Sequence, residues 1–345
     1  MPPPPLVLQT TYAELMERCA AAAFMASFPQ DGGFVAKTVK GRKYWYFQSG
    51  ANGSRSQKYV GRETPELLEQ IRHHKDARED ERERRGLVST LVRSFGLPRP
   101  IPEMGEILAA MERAGVFRLR AVLVGTVAYQ TYSAMLGTKL SARMLMTGDI
   151  DIAQFGDVSV ALNDRIPPIL SILNSVDTTF RAVPTIHKDR VTSYTATGGL
   201  RVDFLVPNTG PDSDKPRPLP ALQTDAQPLR FLDFLIRDPE PATILHGPGI
   251  YVNVPSPQRY AIHKLIVARQ RSEGSAKRDK DLHQAETLLA LLCEKRPHEL
   301  KSAWKEAYKR GPKWRELLKE GLGQLAPPIR DAVCELTDTS SPRAR

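Results

Sequence analysis

The sequence predicts an α+β protein. A mixed β-sheet core is flanked by helices, preceded by a small antiparallel sheet with a long helix, and followed by a helical C-terminal region. Three observations predict it. The stretches 147–155 and 199–207 alternate apolar and charged residues with the period of strands. An apolar run from Leu119 to Val124 stops at Gly125 and Thr126, and a helix-like stretch follows to Leu136. After Pro255 the apolar residues recur at helical spacing almost to the end. With 345 residues the chain is long enough for several domains, read as 1–96, 97–254 and 255–345.

In order, Thr11 to Phe28 carries Tyr12, Leu15, Met16, Cys19, Ala23 and Phe24 at helical spacing. Gly32 and Gly33 end that pattern. Residues 34–61 then read as a three-stranded antiparallel meander, with turns at Lys40-Gly41 and Asn52-Gly53. Between Gly32 and Arg62 there is no acidic residue. Lys37, Lys40, Arg42, Lys43, Arg55 and Lys58 are interleaved there with Tyr44, Trp45 and Tyr46. Cations for phosphate and rings for bases suit a nucleic-acid surface. The competing reading packs the rings on a helix and leaves the charges in solvent. Pro65 to Phe95 reads as one long helix whose charged middle is supported by i,i+4 pairs. Residues 96–102, rich in proline, form a boundary, and Glu103 to Ala114 a short helix.

The run ending at Gly125 has the layout of a phosphate cradle. Glycine admits a ligand to the backbone, and free N–H groups at a helix start favour an anion. The Thr126 hydroxyl serves a phosphate oxygen or caps the helix. In the next strand, Asp149 and Asp151 project from one face while Ile150 and Ile152 enter the core. Two neighbouring carboxylates repel unless a cation relieves them. Pro167 to Val176 reads as a helix, and 181–194 as one or two strands holding His187, Lys188 and Arg190. In the strand 199–207, Asp203 shares a face with Arg201 and Leu205, opposite Leu200, Val202, Phe204 and Val206. An aspartate there is paired, with Arg201 for instance, or it ligates something. If the two strands are neighbours, Asp203 joins Asp149 and Asp151. Residues 208–220 read as a loop, and 229–236 and 242–254 as further strands. Helices resume from Pro255, with Tyr260, Lys264, Val267 and Arg271 on one face, and again over Asp281 to Cys293.

Composition narrows the class. Charged residues make up 26% and hydrophobic residues 41%, as in soluble globular proteins. The net charge of +10 suits a polyanionic partner. Cys19, Cys293 and Cys334 lack metal-ligand spacing and read as reduced thiols. No apolar run approaches the ~20 residues of a membrane helix, and residues 1–6 carry no signal-peptide pattern. The expected location is the cytoplasm, without membrane contact.

Gly125-Thr126, Asp149/Asp151 and Asp203, in this order on strand, helix, strand and strand, resemble the nucleotidyltransferase superfamily that includes DNA polymerase β. The segment from Val254 through Lys264 and Leu265 to Lys280 and Asp281 is similar to the helical part of bacterial members, including toxin-type enzymes of abortive-infection systems. The resemblance spans about Leu119 to Ala290. It departs from the family pattern in Thr126, which stands for the usual second glycine or serine, and in a longer gap from Gly125 to Asp149. It implies transfer of a nucleoside monophosphate from an NTP such as ATP to an acceptor hydroxyl. It also implies two Mg2+ ions roughly 4 Å apart, or Mn2+ in their place, on Asp149, Asp151 and Asp203. Gly125, Thr126, Lys264 and Lys280 are expected on the phosphates, and Asp203 is expected as general base. RNA, above all tRNA, is the expected acceptor, and an antitoxin a possible partner. Transfer to a protein or small-molecule hydroxyl, or a nucleic-acid-binding protein without activity, are the alternatives.

Overall fold

The computed structural model describes residues 6–26, 32–39, 42–49, 56–73, 77–141, 148–161, 165–187, 190–208 and 210–338. Helix α1 (Leu6–Ala26) begins earlier than its pattern suggested. Leu8, Tyr12, Leu15 and Cys19 form its buried stripe, against Val88, Leu91, Leu97, Ala134 and Leu245. Strands β1 (Gly32–Val39), β2 (Arg42–Ser49) and β3 (Ser56–Arg62) pair antiparallel in the expected meander. Both expected turns lie outside the described residues. The expected long helix is described as two elements, α2 (Pro65–His73) and α3 (Ala77–Arg93). In α3 the i,i+4 pairs Arg84–Asp80 and Arg85–Glu81 form, both at 2.8 Å. The charged face is not wholly solvated: Arg84 is buried and donates to the Pro248 carbonyl.

After α4 (Pro102–Ala114), the chain builds the mixed sheet that positions the site. It contains β4 (Val122–Val124), β5 (Asp149–Ala153), β6 (Arg181–Ala182), β7 (Ser193–Thr195), β8 (Arg201–Pro207), β9 (Arg217–Leu219) and β10 (Thr224–Leu229). The main order is β4-β5-β8-β10-β9, and β7 pairs with both β6 and β8. β5–β8 and β8–β10 are parallel, whereas β4–β5 and β7–β8 are antiparallel. Helix α5 (Gly125–Met135) follows β4 directly, and α6 (Gly156–Ala161) and α7 (Ile169–Asn174) follow β5.

Three expectations from the sequence are corrected. Residues 208–220 are not all loop, because Arg217–Leu219 pairs with β10. The stretch 229–236 is not a strand: β10 ends at Leu229 and α8 (Leu232–Leu235) follows. Its Leu232, Phe234 and Leu235 are buried, and a single helical turn reaches that packing where an extended chain would place only alternate residues inside. The strands β11 (Glu240–Ile244) and β12 (Ile250–Val254) form their own hairpin and do not extend the sheet. Five helices complete the described chain: α9 (Pro257–Gln270), α10 (Ala276–Lys295), α11 (Pro297–Lys309), α12 (Pro312–Leu322) and α13 (Pro327–Thr337). One apolar core runs from Met104 to Cys334, so α9–α13 share it with the sheet. Among the described residues, no helix is long and apolar enough to cross a membrane.

Candidate active site

The parallel pairing of β5 and β8 sets Asp151 opposite Asp203 and Asp149 opposite Arg201. Alternation puts these four side chains on one face, while Ile150, Ile152, Val202 and Phe204 are fully buried on the other. The three predicted carboxylates are therefore gathered. Their mutual repulsion is visible at Asp151. Burial, then the charges of Asp203 and Asp149, push its carboxyl from 3.8 up to about 6, against Lys264 and Lys277.

Asp203 does not stand unengaged. Arg201 Nε lies 2.8 Å from Oδ1 and 3.0 Å from Oδ2. Ser193, opposite Asp203 on β7, donates its hydroxyl to Oδ1, and Arg201 Nη2 donates to Ser193 Oγ at 3.1 Å. Hydrogen bonding to Asp203, against burial, raises the Arg201 pKa, and the charges of Asp203, Asp149 and Asp151 add to it. Asp203 therefore stands on the acidic face and is paired with Arg201.

Gly125 closes the other side. Its φ is +69°, a conformation that glycine tolerates and other L-residues rarely adopt. A Cβ built there would stand 2.1 Å from Asp151 Oδ2, so only glycine lets the backbone come this close to the carboxylate. Tyr260 OH, buried in α9, donates to the Gly125 carbonyl or to Gln284 Oε1, each at 3.0 Å. Thr126 is the second residue of α5. The cap position is Val124, and no side chain caps the helix, so Thr126 is not the N-cap.

The predicted lysines come from α9 and α10. Lys264 is largely buried rather than on a solvated face. Its Nζ lies 2.5 Å from Asp281 Oδ1 and 5.3 Å from the Tyr260 ring centroid. Arg271 Nε takes the other oxygen of the buried Asp281, also at 2.5 Å. Lys280 is half-buried, and burial, followed by the charge of Lys264, lowers its pKa. Asp281 and Asp149 act on Lys280 in the opposite sense. Lys277 was missed in the sequence, although it lies one helical turn before Lys280 and its charge reaches Asp151. Ser193 was missed because β7 has only three residues and no pattern of its own.

The basic meander is a separate sheet. Lys37 Nζ stands 5.0 Å from the Tyr46 ring centroid, and Lys43 Nζ lies 3.7 Å from Glu63. Lys40 and Arg55 lie outside the described residues, as do the side chains of Arg42 and Lys58. Arg190 pairs with Asp225 at 2.7 Å, which ties it to β10; Lys188 lies outside the description.

Among the described residues, no three His, Cys, Asp or Glu side chains stand as they are in an arrangement that could hold a metal ion. Asp203 is drawn onto Arg201 instead. The chemistry of the donor set nonetheless suits a hard divalent cation: three carboxylates share a face, and one of them is strained by its neighbours' charge.

A family model described as nucleotidyltransferase matches residues 102–309. No curated protein matches the chain. A crystal structure of an antigenic nucleotidyltransferase-like protein from Paracoccidioides brasiliensis is similar at 14% identity, over 62% of this chain and 92% of that one. Its TM-score of 0.29 is too low to carry an argument. The family match runs from the start of α4 to the end of α11, takes in β4, β5, β8 and α9, and spans more than half of the chain. The chain belongs to the nucleotidyltransferase family and is a nucleotidyltransferase.

Proposed function

We propose that this enzyme moves a nucleoside monophosphate from an NTP to a hydroxyl of RNA, with Mg2+ or Mn2+ on Asp149, Asp151 and Asp203. The observation that carries the reading is the register that sets Asp151 opposite Asp203, with Asp149 on the same face and Gly125 against it. Bound there, a divalent cation would supply charge neutralisation on the transferred phosphoryl group. Asp149 and Asp151 would hold it. Asp203 takes the proton of the acceptor hydroxyl as its oxygen attacks the α-phosphorus. Arg201 and Ser193 orient that carboxylate through the contacts described above. The bond from the α-phosphorus to the bridging oxygen breaks, and pyrophosphate leaves.

Gly125 and the uncapped start of α5 offer backbone N–H groups to the β- and γ-phosphates, with Thr126 beside them. Lys264, Lys277 and Lys280 place positive charge near the carboxylates, and lysine acts there as a point charge on phosphate. The net charge of +10 and the cations of the meander support RNA as the acceptor.

The test is incubation of the protein, and of the Asp149→Ala/Asp151→Ala variant, with each labelled NTP and unfractionated cell extract. Label that enters a species destroyed by ribonuclease, and that fails to appear with the variant, is the expected result. Label that survives ribonuclease and falls to protease moves the acceptor to protein. Equal labelling by the variant removes the carboxylates from the chemistry.

A further inference from the structure

A cavity of about 220 Å3 lies between the start of β4 and the β11–β12 hairpin. It is lined by Phe117, Arg118, Arg120, Phe155, Val158 and Asn253, with Val122, Ile236 and Pro239. Its place on the sheet follows from the register. In the antiparallel β4–β5 pair, Val124 faces Asp151 and Val122 faces Ala153. Paired residues share a face, so Val122 stands on the face that carries the carboxylates. Phe155 lies four residues beyond Asp151, about 13 Å along an extended chain. Val122, Val124 and Ala153 between them are buried, so the cavity lies at the far end of the carboxylate face, separated from the carboxylates by packed side chains.

The lining has a definite chemistry. It holds two arginines and two phenylalanines, and no acidic side chain. Both arginines are exposed, and the Arg118 guanidinium lies close to Gly115 at the end of α4. The loop that carries them is pinned from two sides. Asn253 Nδ2 donates to the carbonyls of Phe117 (2.8 Å) and Ala121 (3.0 Å), and the buried Gln154 donates to that of Leu119 at 2.6 Å. Held in this way, Arg120 sits at φ +65°, a left-handed conformation that a residue with a side chain adopts only when its surroundings impose it. At 220 Å3 the cavity is below the ~300 Å3 at which drug-sized pockets begin, so it suits one ring system. Guanidinium groups beside aromatic rings match a phosphate joined to a base.

We propose that this cavity is a nucleotide subsite on the carboxylate face, which takes an aromatic base against Phe117 and Phe155 and its phosphate on Arg118 and Arg120. The inference rests on the nucleotidyl-transfer reading for the choice of ligand, but its test does not depend on transfer. The nucleotide belongs either to the acceptor strand or to a free effector, and the two share this chemistry.

The experiment is calorimetric titration in EDTA, so that no divalent ion contributes. The probes are the four nucleoside 5′-monophosphates and a 5′-phosphorylated RNA tetranucleotide, at about 0.3 M salt to weaken contacts made to phosphate alone. Wild type and Asp149→Ala/Asp151→Ala are expected to bind alike, and Arg118→Ala/Arg120→Ala at least tenfold more weakly, with a circular-dichroism melt showing that it is folded. A tetranucleotide that binds tenfold better than any monophosphate assigns the site to the acceptor strand, and equal binding assigns it to a free nucleotide. Binding that is unchanged by loss of both arginines, or no binding of either probe, overturns the proposal. Absent labelling in the transfer assay together with arginine-dependent binding here would remove the reaction and leave the subsite.

Discussion

At the scale of the residue, the carboxylate face is held under electrostatic tension. Asp151 is pushed from 3.8 to about 6, so the folded protein favours its neutral form. The sign follows: the stability is intact below 3.8, is lost as pH rises from 3.8 to 6, and stays lost above that. Asp151→Asn therefore raises the metal-free stability by about 1–3 kcal/mol at pH 8 and by almost nothing near pH 4. Urea denaturation in EDTA at the two pH values measures this, and the same variant is expected to transfer no nucleotide. Arg201 is the counter-charge of the face. Arg201→Ala leaves three carboxylates with one cation fewer, and half of that guanidinium is exposed to screening, so the metal-free loss is about 1 kcal/mol or less. Melting temperatures with and without Mg2+ check it: the deficit in EDTA is expected to shrink as Mg2+ is added. Asp149, Asp151 and Asp203 were legible because alternation in an apolar strand exposes an aspartate that has no packing role. That Asp203 rests on Arg201 and Ser193 was not fully legible, since Ser193 arrives on a strand too short to announce itself.

At the scale of the element, the turn from β4 into α5 depends on one glycine. Gly125→Ala combines a left-handed backbone with a Cβ 2.1 Å from Asp151 Oδ2. A loss above about 2 kcal/mol, seen as a clear fall in melting temperature, and loss of transfer are expected together. Helix α9 contributes a different sensitivity. Burial, then the charges of Lys264 and Arg271, hold His263 down from 6.5 to about 3, with Asp281 opposing. The folded state keeps it neutral while the unfolded chain takes a proton, so stability is complete above pH 6.5 and drains away between 6.5 and 3. Replacing His263 with Gln is expected to flatten that limb of a stability-versus-pH curve. The meander and most helices were readable from their periods. Helix α8 and strand β9 were not, because four and three residues carry too little pattern to outweigh what packs around them.

For the whole molecule, the proposed function puts the chemistry on one sheet and part of the acceptor affinity on another. The sheet β4-β5-β8-β10-β9 carries the carboxylates, and the separate meander carries Lys37 and Lys43. Lys37→Glu/Lys43→Glu is expected to weaken RNA binding at low salt and to reduce the slope of log affinity against log salt by about 1–2. The rate of a single turnover with saturating acceptor is expected to stay unchanged. Filter binding across a salt series and a rapid-quench assay separate the two. The core that runs from Met104 to Cys334 joins α9 to the sheet, which is how Lys264 and Tyr260 come to stand beside Gly125 and Asp151 although more than a hundred residues separate them.

The sequence by itself determined the strand and helix periods, the three aspartates, the glycine turn and the basic excess, because each is a local pattern that side-chain chemistry alone makes unusual. Only the tertiary structure decided that β5 and β8 are neighbours in a register that faces Asp151 with Asp203. It alone decided that Arg201 and Ser193 hold Asp203, and that an arginine-flanked cavity shares the same face. Those are pairings between distant segments, set by which surfaces bury each other, and a one-dimensional pattern carries no record of its partner.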